Sequence, residues 1–332
     1  MGIDILGFGV CAGVVYFAGK KLSYFGDKLA EFTGLGRAWI GMILMATVTS
    51  LPELMSGVSA SVLIESADLA VGDILGSCAF NLGILSLLDV FTPKDRPLFT
   101  SLSQSHILAA SFGMILIVLA GLGLFLEDDL ILTPSIGMTS IGFLLVYFFS
   151  IRTIYKYQRT FQKPGEQHSA AVGDLNPKQV LWRFSVYALI IVLAALSLPY
   201  FADRIAGHTG LADSFVGTLF LAISTSLPEI AVSIAAARMG SLDLAVGNLF
   251  GSNLFNIFIL FLDDLLYTKG HLLKDASDVN LVSVFFIILM ALVSVIGLLF
   301  PITRKKIVLA WDTLVIFLLY ALNIFLLFRL LH

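Results

Sequence analysis

The sequence predicts an all-α polytopic membrane protein, with ten transmembrane helices arranged as two inverted-topology five-helix repeats. Three observations lead there. Of the 332 residues, 58% are apolar and 13% charged, whereas a soluble domain carries about a quarter charged residues. The apolar residues gather into runs of about twenty, the length that crosses roughly 30 Å of hydrocarbon. One block of sequence, residues 41–81, returns as residues 217–256.

Taken in order, the runs place spans at 3–19, 38–64, 69–91, 107–126 and 130–151, then at 184–201, 212–237, 242–266, 281–300 and 307–330. The first begins within MGIDILGFGV, where Asp4 stands in place of the basic region of a signal peptide, so it reads as a membrane helix. The second has Pro52 at its middle, and Pro228 recurs in the seventh. Between the fifth and sixth lies the longest polar stretch, whose KPGEQHSAAVGDLNPK segment carries the Pro and Gly of a linker. The chain divides into a first half (1–151), a linker (152–183) and a second half (184–332). Five spans, a linker and five spans is the internal-repeat plan of many secondary transporters. Cys11 and Cys78 both fall inside spans, so no disulfide is expected.

Basic residues set the orientation. With the N-terminus outside, the cytoplasmic loops hold Lys20, Lys21, Lys28, Arg37, Lys94, Arg96, Arg152, Lys156, Arg159, Lys163, Lys178, Arg183, Arg238, Arg304, Lys305 and Lys306. The outer loops keep Arg204, Lys269, Lys274 and Arg329. Sixteen against four is a decisive bias. An odd number of spans per half starts the second half from the opposite side, so the repeats are inverted about an axis in the membrane plane.

The repeats carry the chemistry. GMILMATVTSLPEL at Gly41 returns as GTLFLAISTSLPEI at Gly217, and SADLAVGDILGSCAFN at Ser66 as SLDLAVGNLFGSNLFN at Ser241. Each copy sets a carboxylate, Glu53 or Glu229, inside an apolar run. A charge there costs about 2.5–3.5 kcal/mol even on lenient insertion scales, so such residues are functional by default. Pro52 clashes with the carbonyl of Val48 and Pro228 with that of Ser224, freeing backbone oxygen at mid-membrane. Thr49 and Ser50 share a helix face with Glu53, as Thr225 and Ser226 do with Glu229. In the next helix Ser77 and Asn81 are four apart, as are Ser252 and Asn256. Hard oxygens in that number suit Ca²⁺, which takes six to eight at about 2.3–2.6 Å, and equally suit Na⁺.

Other polar residues read more plainly. Ser and Thr in membrane helices also bond back to their own carbonyls or across helices. Gly72, Gly76, Gly247 and Gly251 read as close-packing contacts. Glu65, Asp68, Asp243 and the Glu127–Asp129 cluster sit at span ends and read as solvated, and Asp312 is expected to pair with Arg304 or Lys305. The five histidines, His106, His168, His208, His271 and His332, lie outside both repeats, so no histidine metal site is expected.

The paired TSLPE and AVGN…GSN…FN segments resemble the two alpha-repeats of the calcium/cation antiporter superfamily, the prokaryotic sodium/calcium exchangers in particular. The resemblance implies alternating access, with the first and sixth spans as gating helices sliding past a core. It implies ion ligands at Ala46, Thr49, Ser50, Glu53, Ser77 and Asn81 in the first repeat, and at Ala222, Thr225, Ser226, Glu229, Ser252 and Asn256 in the second. Ala46 and Ala222 are expected to act through backbone carbonyls. This chain departs from the pattern at several positions. Asn256 stands where many archaeal members have Asp, Cys78 makes GSC of the first GSN, and Asp73 faces Asn248 across the symmetry. Val48-Thr49-Ser50 also replaces the customary Gly-Thr-Ser. Asp73, Ser77 and Asn81 share one helix face, so Asp73 is expected to line an outer approach.

The function implied is a secondary active antiporter, not an enzyme, that exports Ca²⁺ in exchange for Na⁺. One alternative is an H⁺-coupled antiporter of Ca²⁺ or another divalent cation. A remote one is an intramembrane hydrolase using the glutamates as acid and base, which the duplication and the lack of a nucleophile disfavour. No cofactor is expected beyond the transported ions, and no obligate protein partner is evident. With no basic tail or stripe, nucleic acid is not a partner; the bilayer is. The resemblance and the charge bias place the chain in the plasma (inner) membrane, with both termini outside and the linker cytoplasmic.

Overall fold

A computed structural model of the chain describes residues 1–126, 131–133, 136–161, 176–209, 220 and 222–331. The Glu127–Asp129 cluster, His168 and residues 165–174 of the linker, residues 212–219 of the seventh span, and His332 lie outside the described residues. Among those described, eight helices are long and apolar enough to cross a membrane, or nine if one bent pair is a single span.

The helices are α1 (Gly2–Thr33), the bent pair α2 (Arg37–Thr49) and α3 (Leu51–Ile64), α4 (Ala67–Val90), α5 (Ser105–Phe125) and α6 (Met138–Phe161). They continue with α7 (Pro177–Thr209), α8 (Leu227–Arg238), α9 (Leu242–Leu266), α10 (Asn280–Leu299) and α11 (Trp311–Leu331). The expected seventh span is represented by residues 220 and 222–225 and by α8.

Several boundaries differ from the hydropathy edges, each for a local reason. α1 runs on through Lys20 and Lys21 because nothing there breaks a helix, and it ends at Gly34, whose φ of 66° only glycine adopts readily. α7 starts well inside the polar linker, where Pro177 suits a first helical position and Asn176 Oδ1 accepts from the backbone N of Gln179 at 2.9 Å. α6 begins at Met138 instead of 130, because β1 (Ile131–Thr133) pairs antiparallel with β2 (Ile136–Gly137). α11 begins at Trp311 instead of 307, because the preceding loop is pinned: the backbone N of Lys305 donates to Lys94 O at 2.8 Å.

The chain forms two compact units, and each draws on both sequence halves. Unit 1 is Met1–Pro52 with Arg152–Gly251; unit 2 is Glu53–Ile151 with Ser252–His332.

In unit 1, α1 and α7 lie along one another. At one end Arg204 Nε donates to Asp4 Oδ1 at 2.6 Å, and toward the other the Phe25 and Tyr187 rings stack at 5.7 Å. α8 joins α1 through Ser23 Oγ, which donates to Val232 O at 2.9 Å. α2 crosses the start of α9 backbone to backbone. A methyl group added to Gly41 would overlap Leu244 O, one on Gly247 would lie 2.6 Å from Ala38 O, and one on Gly251 would overlap the Met42 backbone. The packing role expected of Gly247 and Gly251 is met here. A methyl group on Gly76 would meet nothing beyond its own helix within 4 Å, and one on Gly72 only Asn280 Oδ1 at 3.7 Å, among the described residues.

Unit 2 packs α4, α5, α10 and α11. Asp89, fully buried near the end of α4, gathers its loops by accepting from Leu98 N (2.9 Å), Ala310 N (2.8 Å) and the Thr313 hydroxyl (2.8 Å). Lys305 Nζ lies 2.9 Å from its Oδ1 and also donates to Asp89 O and Thr92 O. The partner expected for Asp312 is therefore taken by Asp89, while Asp312 Oδ1 accepts from Thr313 N at 2.7 Å. Asp264 plays the matching part in the second half, accepting from Leu272 N at 2.8 Å and from Ser140 Oγ at 2.5 Å.

Candidate functional site

Both repeats break at the serine of TSLPE. Ser50 has φ −90° and ψ 8°, and α2 and α3 meet there at 41°. Ser226 has nearly the same angles, φ −85° and ψ 7°, just before α8. The proline two residues on removes one backbone donor and disfavours a continuous helix. Glu53 and Glu229, three residues past the break, are each 1% exposed.

Unit 1 gathers Ala46, Thr49 and Ser50 of the first repeat with Ala222, Thr225, Ser226 and Glu229 of the second. Ser50 Oγ donates to Glu229 Oε1 at 3.1 Å, a charge-assisted bond between the repeats. Thr49 Oγ1 lies 3.2 Å from Asn248 Oδ1, and Asn248 Nδ2 donates to Ser233 Oγ at 3.1 Å. The carbonyls of Ala46 and Ala222, expected as ligands, each receive an intrahelical pair here. Ala46 O accepts from Ser50 N (3.0 Å) and Thr49 Oγ1 (3.3 Å), and Ala222 O from Ser226 N (3.3 Å) and Thr225 Oγ1 (2.8 Å). Both threonines thus show the back-bonding common in membrane helices.

Unit 2 gathers Glu53, Ser77 and Asn81 with Ser252 and Asn256, all at most 1% exposed. Asn81 Nδ2 donates to Asn253 Oδ1 at 3.0 Å, and Asn253 Nδ2 donates to Cys78 O at 3.2 Å. Two residues outside the expected set therefore hold it in place: Asn248 in unit 1 and Asn253 in unit 2. Asn253 is the asparagine of the second GSN, and the cysteine at its counterpart Cys78 hid the pair from a symmetry argument.

Each unit thus buries a glutamate, and Glu229 accepts from the Ser50 hydroxyl. Glu53 in unit 2 and Glu229 in unit 1 are too costly to bury as bare anions, so a positive charge belongs with each. Oxygen donors of this type serve hard cations.

The sequence profile described as "Sodium/calcium exchanger protein" matches residues 3–156 and 179–329. Among relatives, Inner membrane protein YrbG of Escherichia coli (strain K12) is 30% identical over 83% of this chain and 85% of its own. Sodium/calcium exchanger MaX1 of Methanosarcina acetivorans is 27% identical over 75% of this chain and 79% of its own. Among solved structures, the sodium-calcium exchanger NCX_Mj superposes with a TM-score of 0.74 at 20% identity, covering 98% of this chain and 99% of that one, and so shares the fold.

Proposed function

From the premise that the chain belongs to the sodium/calcium exchanger protein family, within the calcium/cation antiporters, we propose that it exports Ca²⁺ in exchange for Na⁺ by alternating access. It is an integral membrane transporter, not an enzyme. The proposal takes Na⁺ as the counter-ion and export as the direction, and it places the chain in the plasma (inner) membrane with both termini outside and the linker cytoplasmic.

The proposed ligands are Ala46, Thr49, Ser50, Glu53, Ser77 and Asn81 with Ala222, Thr225, Ser226, Glu229, Ser252 and Asn256. Asp73 is assigned to the outer approach. The observation that carries the reading is the duplicated break, which sets a buried glutamate three residues beyond a serine of the same backbone conformation in each repeat. Two carboxylates balance one Ca²⁺ or two Na⁺, so the ions exclude one another and exchange follows. Two H⁺ would balance the same charge, which is why the counter-ion is the point to test.

The experiment is ⁴⁵Ca uptake into proteoliposomes under imposed Na⁺ or H⁺ gradients. Na⁺ loaded inside should drive uptake, and Glu53→Gln and Glu229→Gln should each abolish it while the protein stays monodisperse. Uptake that follows the proton gradient and ignores Na⁺ would move the protein to the proton-coupled branch. Near-normal Ca²⁺ exchange by both variants would overturn the ligand assignment.

A further inference from the structure

In unit 2, Asp73, assigned above to the outer approach, has a second acid near it that the reading leaves unused, Asp263. Gly57 follows Glu53 by four residues on α3, Asp73 precedes Ser77 by four on α4, and Asp263 follows Asn256 by seven on α9. Steps of four and seven keep to one helix face, so the faces bearing the proposed ligands continue to these three residues. The displacement is about 6 Å along α3 and α4 and about 10 Å along α9. All three run toward the same end of the unit, where Lys269 Nζ pairs with Glu65 Oε2 at 3.2 Å.

The local arrangement is particular to this repeat. A methyl group on Gly57 would overlap the Asp263 carboxylate, with Oδ1 only 2.7 Å away, so the glycine makes the room. Gly57, Asp73 and Asp263 correspond by the internal symmetry to Ser233, Asn248 and Leu88. In unit 1 the first two of those close on each other through the Asn248–Ser233 hydrogen bond. Unit 2 has exchanged that neutral bond for a space and two acids. Asp263 is 0% exposed, and among the described residues neither of its buried carboxylate oxygens has a hydrogen-bond donor, nor has Oδ2 of Asp73. Among the described residues, Asp73 lies near enough to Asp263 for their charges to interact, and the Ser56 hydroxyl lies beside Asp73. Two acids on adjoining helix faces, one of them fully buried, need a neutralising positive charge, which a proton or a bound cation can supply.

We propose that Asp73 and Asp263 form a second cation site, for one divalent cation of the Ca²⁺ type, on the approach to Glu53. One such ion balances both charges. The two carboxylates and the Ser56 hydroxyl supply up to five oxygens, and water entering past the half-buried Asp73 completes the six to eight that Ca²⁺ takes. The choice of Ca²⁺ rests on the proposed function, but the test does not need transport.

The test is equilibrium dialysis of purified protein against ⁴⁵Ca²⁺, with ²²Na⁺ in parallel, in the Glu53→Gln/Glu229→Gln background. That protein should retain saturable Ca²⁺ binding. Adding Asp263→Asn or Asp73→Asn should weaken it at least about tenfold, because one of two ligand charges is gone. Asp73→Asn is the safer variant, since its side chain is half-buried and Asn already occupies the symmetric position. Gly57→Ala should weaken binding as well, by displacing Asp263. Absence of saturable Ca²⁺ binding in the parent background would overturn the proposal, as would isotherms unchanged by Asp263→Asn and Asp73→Asn. Retention of ²²Na⁺ alone would do the same. A wild-type protein that binds here yet moves no Ca²⁺ in proteoliposomes would instead count against the proposed function.

Discussion

Replacing Lys305 by Met puts the Asp89 hub under test. Lys305 Nζ lies 2.9 Å from Asp89 Oδ1, with the two side chains 1% and 0% exposed, so the substitution leaves a buried carboxylate without its counter-charge. Breaking such a pair from one side costs about 3–5 kcal/mol. The lower end applies, near 3 kcal/mol, because hydrogen bonds to the charged form remain. Asp89 keeps Leu98 N, Ala310 N, Thr313 Oγ1 and Thr92 Oγ1 as donors, all at 2.8–2.9 Å. Asp89→Ala should do worse, since it strands two backbone N–H groups at about 1–3 kcal/mol each and a buried ammonium besides. The double variant Asp89→Asn/Lys305→Met removes both charges while keeping an acceptor, and should recover part of the loss. The measurement is equilibrium unfolding in mixed micelles by sodium dodecyl sulfate titration, followed by circular dichroism. A Lys305→Met protein within about 0.5 kcal/mol of wild type would refute the reasoning, since that is the range of a neutral surface change. Asp264 accepts from Leu272 N, Ser140 Oγ and Gly137 N, with no lysine paired to it among the described residues. Asp264→Asn should therefore cost less, about 1–1.5 kcal/mol.

Two further outcomes follow from the packing and the surface charges. Gly251→Ala places a methyl group against the Met42 backbone and should destabilise by about 1–3 kcal/mol or more in a thermal melt; Gly9→Ala, inside α1 where a methyl group meets nothing within 4 Å, is the control that should melt at the wild-type temperature or slightly above it. Lys269 holds the Glu65 carboxyl below its ordinary range, so the pair stabilises the fold above that range and loses its effect as pH falls through the lowered value. Lys269→Met should lower stability at neutral pH and low salt but not in acid, and parallel pH profiles for the two proteins would exclude the pairing.

What was legible in the sequence was what duplication and hydropathy encode. The buried glutamates and the hydroxyls beside them could be read because each occurs twice at matching spacing. α9 was placed at 242–266 to the residue, since polar residues bound its apolar run on both sides. α1 and α7 were longer than their apolar runs because a helix ends at a backbone breaker or cap, such as Gly34 or Asn176, not where hydrophobicity fades. The Asp89–Lys305 pair was hidden by 216 residues of separation, and Asp312 was the nearer candidate. Asn253 and Asp263 escaped for a shared reason: their symmetry mates are Cys78 and Leu88, so an argument from repetition passed over them.

The interleaving of the two units bears on how the protein is made. A chain that enters the membrane N-terminus first has delivered residues 1–151 before any of the second half exists. Unit 1 cannot close until Gly251 has been synthesised, nor unit 2 until the segment beginning at Ser252 has followed. At about 5–20 residues per second, the 100 residues from Arg152 to Gly251 take roughly 5–20 s. Throughout that interval Gly41 lacks the α9 backbone it will lie against, and Glu229, which Ser50 will bond, is not yet made for most of it. The half-synthesised chain thus leaves open the surfaces that only the second repeat will cover.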